Sequence, residues 1–217
     1  MAILVGGFFA LYEVVERPDS GAFEPVITHG VGHVVALTFD DGPTPGVTGR
    51  LLDVLEHEHV HATFFVVGRA ARREPALLRR MAADGDEIED HSDTHAHLNV
   101  LLPAAIDNEI AGADAAIVAA IGRHARLLRP PFGARNAAVL EAAERSSMRV
   151  VLWSVTAGGA PIYSRAGEGA IVLLHDGDRG RGDAGELAYQ AEDVSRVIAG
   201  LRARGFRFVT LAELLHA

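Results

Sequence analysis

The chain has 217 residues, 49% of them hydrophobic and 23% charged, which suits one globular domain with a sizeable core. A formal net charge of −9 argues against a nucleic-acid or anionic-membrane partner, and the 20 basic residues are all Arg, scattered along the chain. Because there is no Cys, disulfides and thiolate metal sites are excluded, so any bound metal must rest on His and carboxylates.

Residues 1–15 are nearly all apolar. They are fewer than the roughly 20 needed to span a bilayer, and no basic flank precedes them. Two readings stand: the remnant of a signal or anchor segment, or an extra element packed on the domain. Residues 1–30 are accordingly expected to form an N-terminal extension and residues 31–217 the domain proper. Val34-Val35-Ala36-Leu37-Thr38-Phe39 then reads as a buried strand that runs straight into Asp40-Asp41 and a Gly42-Pro43 turn. Adjacent carboxylates at the mouth of a buried strand are costly unless they meet a cation or take part in chemistry. An ordinary Asp-Gly turn is the plain alternative for that stretch alone.

Thr44-Pro45 predicts an N-cap and first helical position, with Val47, Leu51, Leu52, Val54 and Leu55 forming the apolar face of a helix to about Glu58. A strand is predicted at 62–67, a helix from Glu74-Pro75 to Met81 with Gly85 as C-cap, and a short segment at 87–89. A long helix is expected over 103–121, a brief strand at 126–128, a helix at 136–145 and a strand at 149–153. Further strands are expected at 170–174 and 206–209, around a helix at 187–204, with a terminal turn at 211–215. Alternating strands and helices predict an α/β domain with parallel strands, with polar clusters just after the strands, where such folds place their sites. One connection, 155–168, is rich in Gly and lacks helical periodicity, so the helix of that crossover is expected to be reduced or lost.

His91-Ser92-Asp93-Thr94-His95-Ala96-His97 places two His at i and i+4, on one face if the segment is a helical turn, which is metal-chelating spacing. A carboxylate from the first strand would complete a two-His, one-carboxylate set with positions left for water and substrate. His97 is a conceivable substitute ligand, although i+2 points away from His91 on a helix.

Taken in order, Thr38-Phe39-Asp40-Asp41-Gly42-Pro43, His91-Ser92-Asp93-Thr94-His95, Arg129-Pro130-Pro131-Phe132-Gly133 and Leu173-Leu174-His175-Asp176 resemble the motifs of polysaccharide deacetylases with a NodB-homology domain, carbohydrate esterase family four. The resemblance spans residues 34–215. It implies a distorted, incomplete (β/α) barrel, here with one connection shortened. It implies a metal triad of Asp41, His91 and His95 for zinc, cobalt or another divalent ion. Asp40 resembles the general base, Arg129 its partner, and His175 the general acid for the leaving amine. Phe132 falls where a backbone N–H steadies the oxyanion, and Leu173 where the acetyl methyl group is walled. Trp153 belongs either to the core or, as a substrate contact, to the sugar groove.

The implied reaction is metal-dependent hydrolysis of N-acetyl or O-acetyl groups on an acetylated polysaccharide or oligosaccharide, of peptidoglycan or chitin type. The implied location is extracytoplasmic, secreted or membrane-anchored. The chain also departs from the family pattern. A fourth motif usually supplies an Asp and a Trp where Thr156, Gly158, Gly159 and Ala160 stand, and Glu89-Asp90 replaces a usual Gly-Asn. These departures leave two other readings open: a metal-retaining sugar binder without activity, and an amidase for a small amide that fits an opened groove.

Overall fold

The structure, a computed structural model, describes residues 16–18, 23–157, 160–177 and 184–216, with the backbone alone over 184–192. Its centre is β1 (Val34–Asp40), in which every residue is buried. β2 (Thr63–Val66), β3 (Glu87–Asp90), β4 (Leu127–Leu128) and β5 (Arg149–Val150) follow on one side of it. On the other side lie β7 (Ala170–His175) and β6 (Val155–Thr156), and β8 (Arg207–Phe208) pairs with the start of β1. All these pairings are parallel.

The sheet curls without closing. Ile27 bridges to Val151 and His29 to Ala170, so the stretch before β1 runs between the β5 side and the start of β7. Ile27 donates its N–H to Val150 O at 2.9 Å and accepts from Leu152 N at 2.7 Å. The result is the parallel α/β sheet that the alternation predicted, in the incomplete (β/α) barrel form that the resemblance implied.

Strand parity sorts the core. Side chains alternate across a strand, so Val35, Leu37 and Phe39 enter the larger core against the helices, with Phe64, Ile88, Leu52 and Ile110. Val34 and Ala36 turn inward with Phe65, Leu127, Val151 and Ile171, and Leu211 and Leu214 join them. Those two leucines come from α8 (Leu211–Leu214), whose Leu211 N–H bonds Thr63 Oγ1 at 2.9 Å and Ala212 N–H bonds Glu87 Oε2 at 3.0 Å. Thr63 and Glu87 begin their strands, so α8 fills the N-terminal end of the barrel. Thr38 and Asp40 share the inward parity at the opposite end.

The helices are α1 (Thr48–Glu58), α2 (Gly68–Arg73), α3 (Pro75–Asp84), α4 (Pro103–Ile121), α5 (Ala137–Arg145), α6 (Ile162–Arg165) and α7 (Ala184–Ala203). Pro103 opens α4 and Gly122 closes it in the left-handed region, and Asn136 caps α5 by accepting from Val139 N at 3.1 Å, as the sequence signals require. At three points the structure corrects or adds to the expectations. α1 starts at Thr48 with Val47 as N-cap, because Gly46 (φ +74°) takes the backbone out of the helical region and makes 44–47 a separate turn. α2 is an addition, filling the stretch between the strand predicted at 62–67 and the helix predicted from Glu74-Pro75. The crossover before β7 has its helix reduced, as expected, to a single four-residue turn, but the two-residue β6 before it was not foreseen.

Asp86, buried between α3 and β3, accepts the Ala62 N–H at 2.8 Å. Burial pushes its carboxyl up to about 6, against the opposing pull of the Ala62 N–H and the His61 charge. The unfolded group loses its proton near pH 4. Folding therefore takes up a proton between about pH 4 and 6, and this contribution to stability falls as pH rises through that window. Asp86→Asn keeps the acceptor oxygen and removes the titration. Thermal melts at pH 4.5 and 7.5 should show the variant gaining on the wild type at the higher pH. A difference independent of pH would contradict the assignment.

Candidate metal centre and catalytic cleft

β1 delivers Asp40 on its inward face. The next residue, Asp41, has φ +78°, so the chain leaves strand geometry there and the second carboxylate also enters the cleft. Asp41 Oδ1 lies 3.3 Å from His91 Nε2 and 3.0 Å from His95 Nε2. One ligand atom from each of Asp41, His91 and His95 falls within 4.8 Å of the others.

The donor set suits a divalent cation. His91 Nδ1 lies 2.7 Å from Arg129 O, and a carbonyl only accepts, so Nδ1 carries the proton and Nε2 faces Asp41. Burial works against the Asp41 carboxylate, but hydrogen bonds from His91 and His95 overcome it and hold the group well below the usual range. Burial likewise disfavours a charged His91, yet the Asp40 and Asp41 charges raise its pKa. Two imidazoles drawn onto one carboxylate leave a compact, acceptor-rich pocket of the two-His, one-carboxylate kind.

The helical-turn reading of this segment is corrected. No helix forms over 91–97; Ser92 and His95 both have φ +63°, and left-handed residues, not a helical face, aim the imidazoles. His97 lies outside the triad and stacks on Phe132, with ring centroids 3.8 Å apart and planes at 5°. Phe132 meets His95 edge-on at 4.7 Å and is 44% exposed, which makes it a flat apolar flank beside the triad. Its loop includes Gly133 (φ +69°), where a Cβ would lie 2.8 Å from Glu16 O and 3.1 Å from Trp153. Trp153 itself is half-buried and packs with the inward-facing cluster, its ring 6.0 Å from the Arg129 guanidinium.

Arg129 has no solvent exposure. Its Nη1 donates to Asp40 Oδ1 and to Thr38 Oγ1, each at 2.7 Å; Nη2 donates to Leu152 O at 2.9 Å and Nε to Val151 O at 3.4 Å. The guanidinium also lies 4.1 Å over the Phe65 ring. Thr38 was not singled out in the sequence, although its place two residues before Asp40 puts it on the same face. Its own hydroxyl proton goes to Val172 O at 2.8 Å, which leaves the oxygen free to accept from Arg129.

His175 ends β7 opposite Asp40 in the strand register, and Leu173 pairs with Thr38. In a parallel pair such partners face the same side, so half-buried His175 and buried Leu173 flank the cleft across from Arg129. Asp176, the next residue, is buried; Thr48 Oγ1 donates to it at 2.7 Å, and burial pushes its carboxyl up to about 7. Glu89 and Asp90, the unusual pair before His91, serve the backbone. Glu89 Oε2 accepts from Arg126 N at 2.6 Å and Leu127 N at 2.7 Å, and Asp90 Oδ1 accepts from Ser92 N at 2.7 Å. Where the fourth motif is altered, Thr156 pairs with Leu173, and Arg165 donates to the carbonyls of Thr156 and Ala160. Gly158 and Gly159 lie outside the described residues.

The polysaccharide deacetylase family model matches residues 29–151, more than half of the chain. The chain belongs to that family. A chitooligosaccharide deacetylase of Bradyrhizobium is 36% identical over 199 residues, 83% of this chain and 90% of that one. A peptidoglycan-N-acetylglucosamine deacetylase of Bacillus cereus is 31% identical over 84% of this chain and 88% of its own length. Among solved structures, the Bc1960 peptidoglycan N-acetylglucosamine deacetylase, in complex with 4-naphthalen-1-yl-N-oxidanyl-benzamide, superposes with a TM-score of 0.79 at 27% identity. That match covers 88% of this chain and 93% of the other. The chain is a polysaccharide deacetylase by family, a class dependent on a divalent metal, and Asp41, His91 and His95 are the cluster in the described residues able to hold one.

Removing Arg129 strands a carboxylate in a nearly dry interior, since Asp40 is 3% exposed. Arg129→Met should cost roughly 3–5 kcal/mol, the usual penalty for breaking a buried pair from one side. Arg129→Lys should not restore it, because an ammonium cannot serve acceptors arrayed around a planar fork. Adding Asp40→Asn to Arg129→Met should recover part of the loss. Urea denaturation of the four proteins measures all three effects, and a loss of less than about 1 kcal/mol for Arg129→Met would contradict the pairing energy.

Proposed function

We propose that this protein removes N-acetyl groups from N-acetylglucosamine-containing polymers, of chitooligosaccharide or peptidoglycan type, with zinc held by Asp41, His91 and His95. The observation that carries the reading is the register of Asp40 opposite His175 on neighbouring strands, with the triad beside them. A protein that only binds sugar needs neither an opposed base nor an acid. When bound, the divalent ion supplies Lewis-acid polarisation of the acyl carbonyl and activation of water.

The residues of the chain do the rest. Asp40, aimed by Arg129, accepts the proton of the attacking water. His175, on the far side, donates a proton to the nitrogen as the C–N bond breaks, so that an amine departs instead of an amide anion. The backbone N–H of Phe132 steadies the carbonyl oxygen, and Leu173 walls the acetyl methyl group. The stacked Phe132–His97 pair offers one flat side for a pyranose ring. Trp153 supports Arg129 from the packed interior more than it meets the sugar. One water is consumed; acetate and a free amine leave. An ester of acetate would pass through the same steps with an alcohol leaving.

The names of the relatives support chitin-type and peptidoglycan-type substrates. A peptidoglycan substrate lies outside the cytoplasmic membrane, which supports the extracytoplasmic location. Among the described residues no helix is long and apolar enough to cross a membrane, and residues 1–15 lie outside them. The altered fourth motif, with Thr156 at the cleft edge, favours a second reading in which a small amide replaces the polymer.

Acetate release from chito-oligosaccharides and peptidoglycan fragments tests the proposal, before and after chelation and with zinc or cobalt restored. Release should vanish with chelator and return with metal. Asp40→Asn should lower kcat by about 10²–10⁴-fold, the usual share of a general base, while the protein still takes up one equivalent of zinc. Metal-loaded protein that releases no acetate from any sugar, yet hydrolyses small amides, would overturn the polymer assignment.

A further inference from the structure

The loop that carries His95 is held in an unfavourable shape. Ser92 and His95 sit in the left-handed region at φ +63°, which non-glycine residues keep only where surrounding bonds over-determine it. Two of those bonds are internal: Asp90 Oδ1 accepts from Ser92 N at 2.7 Å, and Ser92 Oγ accepts from His95 N at 3.1 Å. On the side of α2, Gly68 N donates to Ser92 O and Arg69 N to Asp93 O, each at 3.0 Å, and Arg72 pairs with Asp93 at 2.7 Å. These contacts hold residues 92 and 93. Thr94, the residue that delivers His95, is held from another direction.

Glu109, in the second turn of α4, reaches over to this loop. Its Oε2 accepts the Thr94 N–H at 2.8 Å and its Oε1 accepts the Thr94 hydroxyl at 2.7 Å. Both carboxylate oxygens go to one residue of a loop 15 positions earlier in the chain, and charge-assisted bonds of this length are the strong kind. A half-exposed Glu on a helix ordinarily meets solvent or a neighbour three or four residues away; here the side chain spans two elements. We infer that Glu109 is a positioning residue for the metal centre: by fixing Thr94 through both oxygens it sets the backbone of His95 and so the aim of its Nε2 at the ion. This rests on the metal-centre reading above. Glu109 touches neither ion nor substrate.

Supporting groups behind metal ligands typically account for about 10–100-fold in metal affinity. Glu109→Ala should weaken zinc binding by about tenfold, read by competition with a chromophoric chelator. Glu109→Gln keeps an acceptor oxygen for one of the two bonds and should recover part of that affinity. Thr94→Val removes the hydroxyl partner, and combining it with Glu109→Gln should weaken binding by less than the product of the single effects. A merely structural glutamate would lower the melting temperature of metal-free protein and leave zinc affinity unchanged. Affinities of Glu109→Ala and Thr94→Val both within twofold of wild type would overturn the inference. If Glu109→Ala does not fold, Thr94→Val and Glu109→Gln carry the same measurement. A wild type that binds no zinc would overturn the metal centre itself, an outcome distinct from a clamp that fails in a zinc-binding protein.

Discussion

A guanidinium with no exposure to solvent sits in a barrel interior lined mainly by Val, Ala, Phe, Leu and Ile. Taking such a charge out of water costs several kcal/mol for each ion. The cost is tolerated because the fork of Arg129 is met on nearly every side, by Asp40 and Thr38 from β1 and by the carbonyls of Val151 and Leu152 just past β5. In the sheet order β1 and β5 are separated by three strands. The Arg129 side chain therefore spans the inside of the curl, tying β1 to the chain just past β5 and fixing where the Asp40 carboxylate stands. Its own main-chain carbonyl, meanwhile, sets the tautomer of His91.

Two adjacent aspartates would face opposite sides if the strand continued. They do not, because Asp41 adopts φ +78° and turns into the cleft beside Asp40. The neighbours then separate them chemically. Asp40 meets a guanidinium that cannot give up its proton at ordinary pH, whereas Asp41 meets two imidazoles whose nitrogens suit a metal. Identical side chains one residue apart take unlike partners through a single backbone rotation. Left-handed residues recur at Ser92, His95 and Phe132, so the centre is assembled largely at positions where the chain is bent against its preference, as expected where geometry matters more than local stability.

Much of this was legible in the residues. A strand buried on both faces, as β1 is, must read as a continuous apolar run, and Asp40-Asp41 interrupting it announced the site. The order of the four motifs carried the family, and Gly85 marked a helix end where it occurs. What stayed hidden has physical reasons. A strand of two residues such as β6 offers no periodicity to detect. His91 and His95 do converge, but through left-handed turns of non-glycine residues, which no propensity foretells; the spacing argument reached the right pair by the wrong geometry. The bridges of Ile27 and His29 depend on partners more than a hundred positions away, and nothing local marks them. Thr38 was readable by parity alone, since an inward polar residue two places before Asp40 needs a polar partner.

The departures from the family pattern fall unevenly over the cleft, and the fold accounts for that. The half that gathers Asp41, His91, His95, Asp40 and Arg129 is built from β1, the ends of β3 and β4, and a loop bonded to α2 and α4; Asp40, His91 and Arg129 are buried, Asp41 and His95 partly so, and their bonds constrain one another. Of the departures, Glu89 and Asp90 stand on β3 and serve the backbone, whereas Thr156 lies on β6 and Ala160 just before the one-turn α6, where Arg165 secures the chain through their main-chain carbonyls. A connection held largely by its backbone can change side chains at small cost, and the Thr156 hydroxyl's own bond, to Leu173 O, is long at 3.5 Å. Change on that side leaves Asp40 and the ligands in place and alters only what lies against His175 and Leu173. The Arg129–Asp40 pair with its neighbouring imidazoles and the altered connection thus lie on different parts of the sheet, joined at β7, where Leu173 pairs with Thr38 on one edge and Thr156 on the other.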